Sequence, residues 1–80
     1  MRVDKFLKVS RIIKRRTVAN DACDTDHILV NGKIVKASYR VKEGDVLEVS
    51  FGQKPLRVRV LSIQEHVPKE EASSLFEVLS

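Results

Sequence analysis

The sequence predicts an α+β fold in which two N-terminal helices pack on one side of a small antiparallel sheet. Three observations predict it. Apolar residues recur at helical steps from Val3 to Ile13, the pattern changes to alternation after Asp26, and the dipeptide Asn31-Gly32 marks a tight hairpin. At 80 residues the chain has room for one modest core, because a short chain buries a smaller share of its surface than a long one. A single domain over residues 1–80 is therefore expected.

The first helix rests on Val3, Phe6, Leu7 and Ile13, which at ~100° per residue gather on one side. Lys5, Lys8, Arg11 and Arg15 project from the opposite side. Asp4 falls in the first turn, where free amides favour a carboxylate, and it is placed to pair with a nearby Arg or Lys. After the cluster Lys14-Arg15-Arg16, the hydroxyl of Thr17 is suited to cap a second helix running to about Thr25. Val18, Ala19, Ala22 and Cys23 give that helix a stripe of small residues, with Asn20, Asp21 and Asp24 facing solvent.

Beyond Asp26, Ile28 and Val30 alternate with His27 and Leu29 as in a strand, and Lys33 to Val35 return after the Asn31-Gly32 turn. A second turn at Lys42-Glu43-Gly44-Asp45 leads into a strand from Val46 to Phe51. Gly52-Gln53-Lys54-Pro55 breaks it. Leu56 to Ile63 then sets Arg57 and Arg59 against Val58 and Val60, the pattern of a strand with one wet face. Pro68 and the polar run Lys69 to Ser74 read as a turn or single helical turn, and Leu75 to Leu79 as a last strand.

The charge is unevenly spread. Lys and Arg number 15 against 11 Asp and Glu, a net charge of +4. Seven of the basic residues (Arg2, Lys5, Lys8, Arg11, Lys14, Arg15, Arg16) and one acid, Asp4, lie in residues 1–16, a balance of +6 that leaves −2 for the rest. Folded RNA presents closely spaced phosphates, and a protein that neutralises several of them gains affinity by displacing condensed counterions. Arginine adds a planar fork that takes a phosphate bidentately or stacks on a base, whereas lysine supplies a point charge. Arg2, Arg11, Arg15 and Arg16 are thus the leading RNA contacts, with Lys5, Lys8 and Lys14 in support. One Tyr and three Phe are too few for a base-stacking sheet surface. A solvated face that keeps a small protein soluble, and adsorption to an acidic membrane, are the competing readings of the same charges. The membrane reading is the weaker, because the first helix has no Trp and its short apolar stripe is used up by the core.

No catalytic constellation is visible: His27 and His66 lie far apart, and there is no phosphate loop, metal-ligand spacing or nucleophile motif. No catalytic residue, cofactor or metal site is expected. The single cysteine, Cys23, reads as a small core thiol. No apolar run approaches the ~20 residues that span a bilayer, and Met1 to Lys8 lacks a secretory signal, so a cytoplasmic protein without a membrane partner is expected.

Arg2-Val3-Asp4-Lys5-Phe6-Leu7, Ser10-Arg11, Lys14-Arg15-Arg16-Thr17, Ile28-Leu29-Val30-Asn31-Gly32, Lys36-Ala37-Ser38 and Gly44-Asp45 together resemble the S4 RNA-binding domain. The likeness covers about residues 1–51, with 52–80 as a C-terminal strand extension. It implies the S4 fold, an αL motif of two helices on a bent antiparallel sheet. The start of the chain and the segment Val49-Ser50-Phe51-Gly52-Gln53-Lys54 are similar to a stand-alone branch of that family, relatives of the ribosome-associated heat-shock S4 protein. That resemblance implies binding to 23S rRNA and peptidyl-tRNA on the large (50S) ribosomal subunit, in quality control of stalled chains beside an RqcH-like tailing factor. It places Arg2, Lys5, Arg15 and Arg16 where the family grips RNA, and Asn31, Gly32, Lys36 and Ser38 on its hairpin edge. A monomer is expected, and a general structured-RNA or DNA-binding module without a rescue role is the alternative. The sequence departs from the family at Asp26, usually Gly, and at Ala37, where many members have Pro.

Overall fold

The computed structural model describes residues 1–50 and 55–79. Two helices, α1 (Val3–Val9) and α2 (Arg16–Asp24), precede strands β1 (Ile28–Val30), β2 (Lys33–Ile34), β3 (Val46–Val49) and β4 (Leu56–Val60). A 3-10 helix over Lys69–Leu75 then leads into β5 (Phe76–Val78). The strands form an antiparallel sheet in the order β2-β1-β3-β4-β5. The expected α+β order holds, and so does the last strand. The break expected at 52–54 and the end of the third strand at Phe51 lie outside the described residues.

Alternation assigns the sheet its two faces. Ile28 stands opposite Val49, Val30 opposite Leu47, and Leu47 opposite Val58, so these buried side chains share the inner face. They meet Val3, Phe6 and Leu7 of α1 and Ala19, Ala22 and Cys23 of α2 in one apolar cluster. Burial pushes the Cys23 thiol up to about 11, with Asp4 and Asp24 adding to the shift. That agrees with a core role for this cysteine. On the outer face Arg59 pairs with Glu77 across β4 and β5 at 3.2 Å.

The first helix is shorter than the apolar periodicity predicts. It ends at Val9 because Arg11 adopts a left-handed conformation (φ 64) and its N–H closes on the Lys8 carbonyl at 3.0 Å. The chain then folds back, and the Ile13 N–H reaches the Leu7 carbonyl at 3.1 Å. Ile13 therefore joins the core from a turn rather than from the helix. The expected Thr17 cap is also corrected. Arg15 is the N-cap residue of α2, no side chain caps that end, and Thr17 lies inside the helix. Asn20 turns toward α1 instead of solvent, donating to Asp4 Oδ2 at 3.2 Å.

The second helix ends in a Schellman motif. The Asp26 N–H bonds the Cys23 carbonyl at 3.2 Å and the His27 N–H bonds the Ala22 carbonyl at 2.9 Å. The motif needs a left-handed residue after the cap, and Asp26 takes it (φ 65). Glycine takes this conformation without strain, and aspartate is among the side chains that best tolerate it after glycine and asparagine. Asp26→Gly should raise stability by about 0.5 kcal/mol, the relieved strain exceeding the added freedom of the unfolded chain. The exposed Lys36–Asp26 pair at 3.4 Å offers little to offset this. A lowered thermal midpoint would contradict that account.

The hairpin is as predicted: Asn31 (φ 52) and Gly32 (φ 84) both take positive φ in the turn between β1 and β2. Asn31 does more than turn the chain. Its side-chain oxygen accepts from the Val46 N–H at 3.0 Å, and its amide donates to Asp45 at 3.1 Å. The buried Asp45 also accepts from the Tyr39 hydroxyl and the Lys42 N–H, both at 2.9 Å, and so ties the hairpin to the second turn.

Candidate nucleic-acid interface

The N-terminal strand-like residues and the two helices hold the basic side chains in place. Val3 N–H bonds the Tyr39 carbonyl and Arg2 pairs with Arg40 in an isolated antiparallel bridge, so Arg2 enters α1 from a fixed backbone. Two residues on, in the first turn of α1, Asp4 comes within reach of the Arg2 guanidinium. Asp4 is 1% exposed, and a buried carboxylate is tolerable only when its oxygens are fully engaged. Both are. Arg2 Nε and Nη2 donate to its two oxygens at 3.3 and 3.4 Å, Arg16 Nη2 lies 3.5 Å from Oδ1, and the Lys5 N–H donates to Oδ1 at 2.8 Å. Burial alone would raise the Asp4 carboxyl, but the Asn20 amide, Arg16, the Lys5 N–H and Arg2 together hold it below the usual carboxylate range.

The consequence is that one carboxylate fixes two arginines from different elements. Arg2 precedes α1, while Arg16 opens α2, and their side chains remain 43% and 48% exposed. Each guanidinium thus presents its remaining N–H groups to solvent in a set direction. This preorganisation lessens the entropy lost when an anion binds.

A second cluster lies along the end of α1. Lys8, Arg11 and Lys14 are exposed and line a cleft of about 280 Å³ with Val9, Glu65, His66 and Val67. Lys5 forms an ion pair with Glu65, whose carboxyl is held low by hydrogen bonding to and the charge of Lys5. Arg15 is exposed at the start of α2. The hairpin residues form a separate group: Lys36 reaches Asp26, the Ala37 N–H bonds Asp24 at 3.2 Å, and exposed Ser38 follows. These contacts are at the far end of α2 from Arg16, roughly 12 Å along the axis. Asn31 and Gly32 are both exposed in the turn, though both side-chain groups of Asn31 are engaged by partners within the chain.

The sequence brings most of these cations together but does not reveal Glu65 and His66 as neighbours of α1, since Glu65 lies 60 residues beyond its partner Lys5. No local pattern signals that packing. No group of three or more His, Cys, Asp or Glu side chains able to hold a metal occurs among the described residues. No helix among them is long and apolar enough to cross a membrane.

The S4 domain family matches residues 1–47, which contain α1, α2, the hairpin and the start of β3. The chain belongs to the S4 domain family. Among its relatives is the RQC P-site tRNA stabilizing factor of Halalkalibacterium halodurans, 56% identical over 78 residues, which cover 98% of this chain and 89% of that protein. The trimeric structure of Vibrio cholerae heat shock protein 15 superimposes with a TM-score of 0.92 at 23% identity, covering all of this S4 chain and 82% of the other. The solution structure of the hypothetical protein HP1423 gives 0.84 at 30% identity and covers 100% and 98% of the two chains. The fold of this S4 protein, including β4 and β5, is thus shared well beyond the matched segment.

Proposed function

We propose that this chain is a non-catalytic RNA-binding factor that acts on the large (50S) ribosomal subunit in quality control of stalled peptidyl-tRNA. The observation that carries the reading is the buried Asp4, which holds Arg2 and Arg16 together at the junction of the two helices. Relatives named for stabilising P-site tRNA support it. The 23S rRNA and the tRNA are its ligands, and an RqcH-like tailing factor is its working partner in the cytoplasm. The chain binds as a monomer and as one unit.

The chemistry follows from the surface. Arg2, Lys5, Lys8, Arg11, Lys14, Arg15 and Arg16 neutralise phosphates of folded RNA, the two Asp4-held arginines fixing the register of the complex. The hairpin side adds Lys36 and Ser38, with Gly32 allowing close backbone approach and Asn31 holding the turn in shape. Shape and phosphate contacts suit a folded RNA better than a single strand.

Co-sedimentation with purified large subunits, set against binding to duplex DNA at matched salt, tests the proposal. Preference for DNA would defeat it and favour a general nucleic-acid module. Arg16→Ala should weaken subunit binding by about 1–3 kcal/mol, the loss of a charged hydrogen bond, and lower the thermal midpoint only modestly, because the buried Asp4 keeps Arg2, Asn20 and the Lys5 N–H as partners. Unaltered affinity at physiological salt would remove Arg16 from the interface.

A further inference from the structure

We infer that the cleft between the end of α1 and residues 65–67 seats one backbone phosphate of the bound RNA, and that His66, outside the S4-matched segment, completes that seat. The inference rests on the RNA-binding reading above and extends it to the C-terminal part of the chain.

The cleft combines features that favour a phosphate over other occupants. Lys8, Arg11 and Lys14 bring three cations to the lining from the end of α1 and the turn after it, and residues 65–67 bring His66 beside the paired carboxylate of Glu65. A phosphate offers several acceptor oxygens to such convergent donors. At about 280 Å³ the space lies just under the range of ~300–1,000 Å³ typical of small-molecule pockets, and its walls carry charge where such pockets are mostly apolar. It therefore fits a hydrated phosphate group better than a base or a drug-sized ligand.

Two further observations describe how the two sides of the cleft are held. Arg11 holds a left-handed backbone (φ 64) in the turn that ends α1, where glycine is the unstrained choice. That turn separates Arg11 from the helix while keeping it beside Lys8 and Lys14 around the cleft. On the other side, the ion pair between Glu65 and Lys5 ties the chain next to His66 against α1. Glu65 is thus a positioning residue for the cleft, and its pairing with Lys5 offsets the repulsion that its own negative charge would exert on a phosphate.

The test uses the full chain. Lys14→Ala should reduce the slope of log affinity for large subunits against log salt by about 1, since one phosphate contact is lost. His66→Ala should weaken binding three- to tenfold, and both variants should melt with the wild type. In a separate arm, inorganic phosphate added to labelled protein should shift the NMR signals of Arg11, Lys14 and His66 more than equimolar chloride does, and a short RNA hairpin should compete for those signals. If Arg2→Ala and Arg16→Ala weaken binding while Lys14→Ala and His66→Ala change neither affinity nor slope, the cleft assignment is overturned and the RNA-binding reading stands. Phosphate shifts that RNA leaves untouched would equally overturn it, assigning the cleft to free phosphate. If the wild-type chain binds no RNA, the reading fails first and the assignment falls with it.

Discussion

Phe6→Ala should lower the stability of the domain by about 3–5 kcal/mol. Phe6 is fully buried and belongs to the same cluster as Leu7, Ala19, Cys23, Ile28, Leu47 and Val58. Helix α1 has only seven residues, too few to be stable by itself, so its place depends on the side chains that pack it. An 80-residue domain has a total stability of roughly 4–12 kcal/mol. The loss therefore amounts to a large fraction of the whole, and the thermal midpoint should fall by roughly 15 °C or more. Because Phe6 lies on the helix that carries Lys5 and Lys8, the variant should also lose RNA binding in step with its unfolding. Phe6→Leu keeps most of the volume and should cost about 1 kcal/mol. A melt of Phe6→Ala close to that of the wild type would mean that α1 is not anchored through its apolar face.

The parts of this fold that were legible in the sequence are those fixed by local rules. Asn31-Gly32 announces its turn because both residues must take positive φ, and no distant contact is needed to decide it. The strands around Val46 and Val58 follow from alternation, since one face is covered by helices and the other is wet. The end of α1 was not legible. A glycine would have marked the left-handed residue, but the chain uses Arg11 there, and periodicity alone carried the helix on to Ile13. Thr17 is a residue type that caps well, but it lies two positions beyond the observed N-cap, Arg15, after the helix has begun at Arg16.

The basic surface was legible as a count of charges and not as an arrangement. Arg2 and Arg16 are fourteen residues apart in sequence, and what joins them is the burial of Asp4 between the helices. Helical spacing puts Asn20 on the solvent face for the same reason: its partner is on another element. Long-range pairing also hides Glu65, which local sequence gives no cause to place beside Lys5. In each case the deciding contact crosses between elements, where hydrophobic period and local propensity carry no information.

Asp4→Asn separates charge from arrangement. By charge alone the variant gains one positive unit and should bind RNA more tightly. By arrangement it should bind more weakly, because Arg2 and Arg16 lose the carboxylate that aligns them, and we expect a loss of about 1 kcal/mol in affinity. Stability should drop by about 1.5–3 kcal/mol at neutral pH, the scale for hydrogen bonds to a charged group. The larger penalty of a wholly buried broken pair does not apply, since both guanidinium groups are about half exposed and are rehydrated. The pH dependence has a definite sign. The folded Asp4 carboxyl sits below its ordinary value of 3.8, so its contribution is present above that value and is lost as pH falls through the lower folded one. Wild-type stability should therefore decline more steeply than that of Asp4→Asn below about pH 4, and the two melting curves should converge in acid. Tighter RNA binding by the variant, or a constant stability gap down to strong acid, would show that Asp4 contributes only a negative charge to this surface.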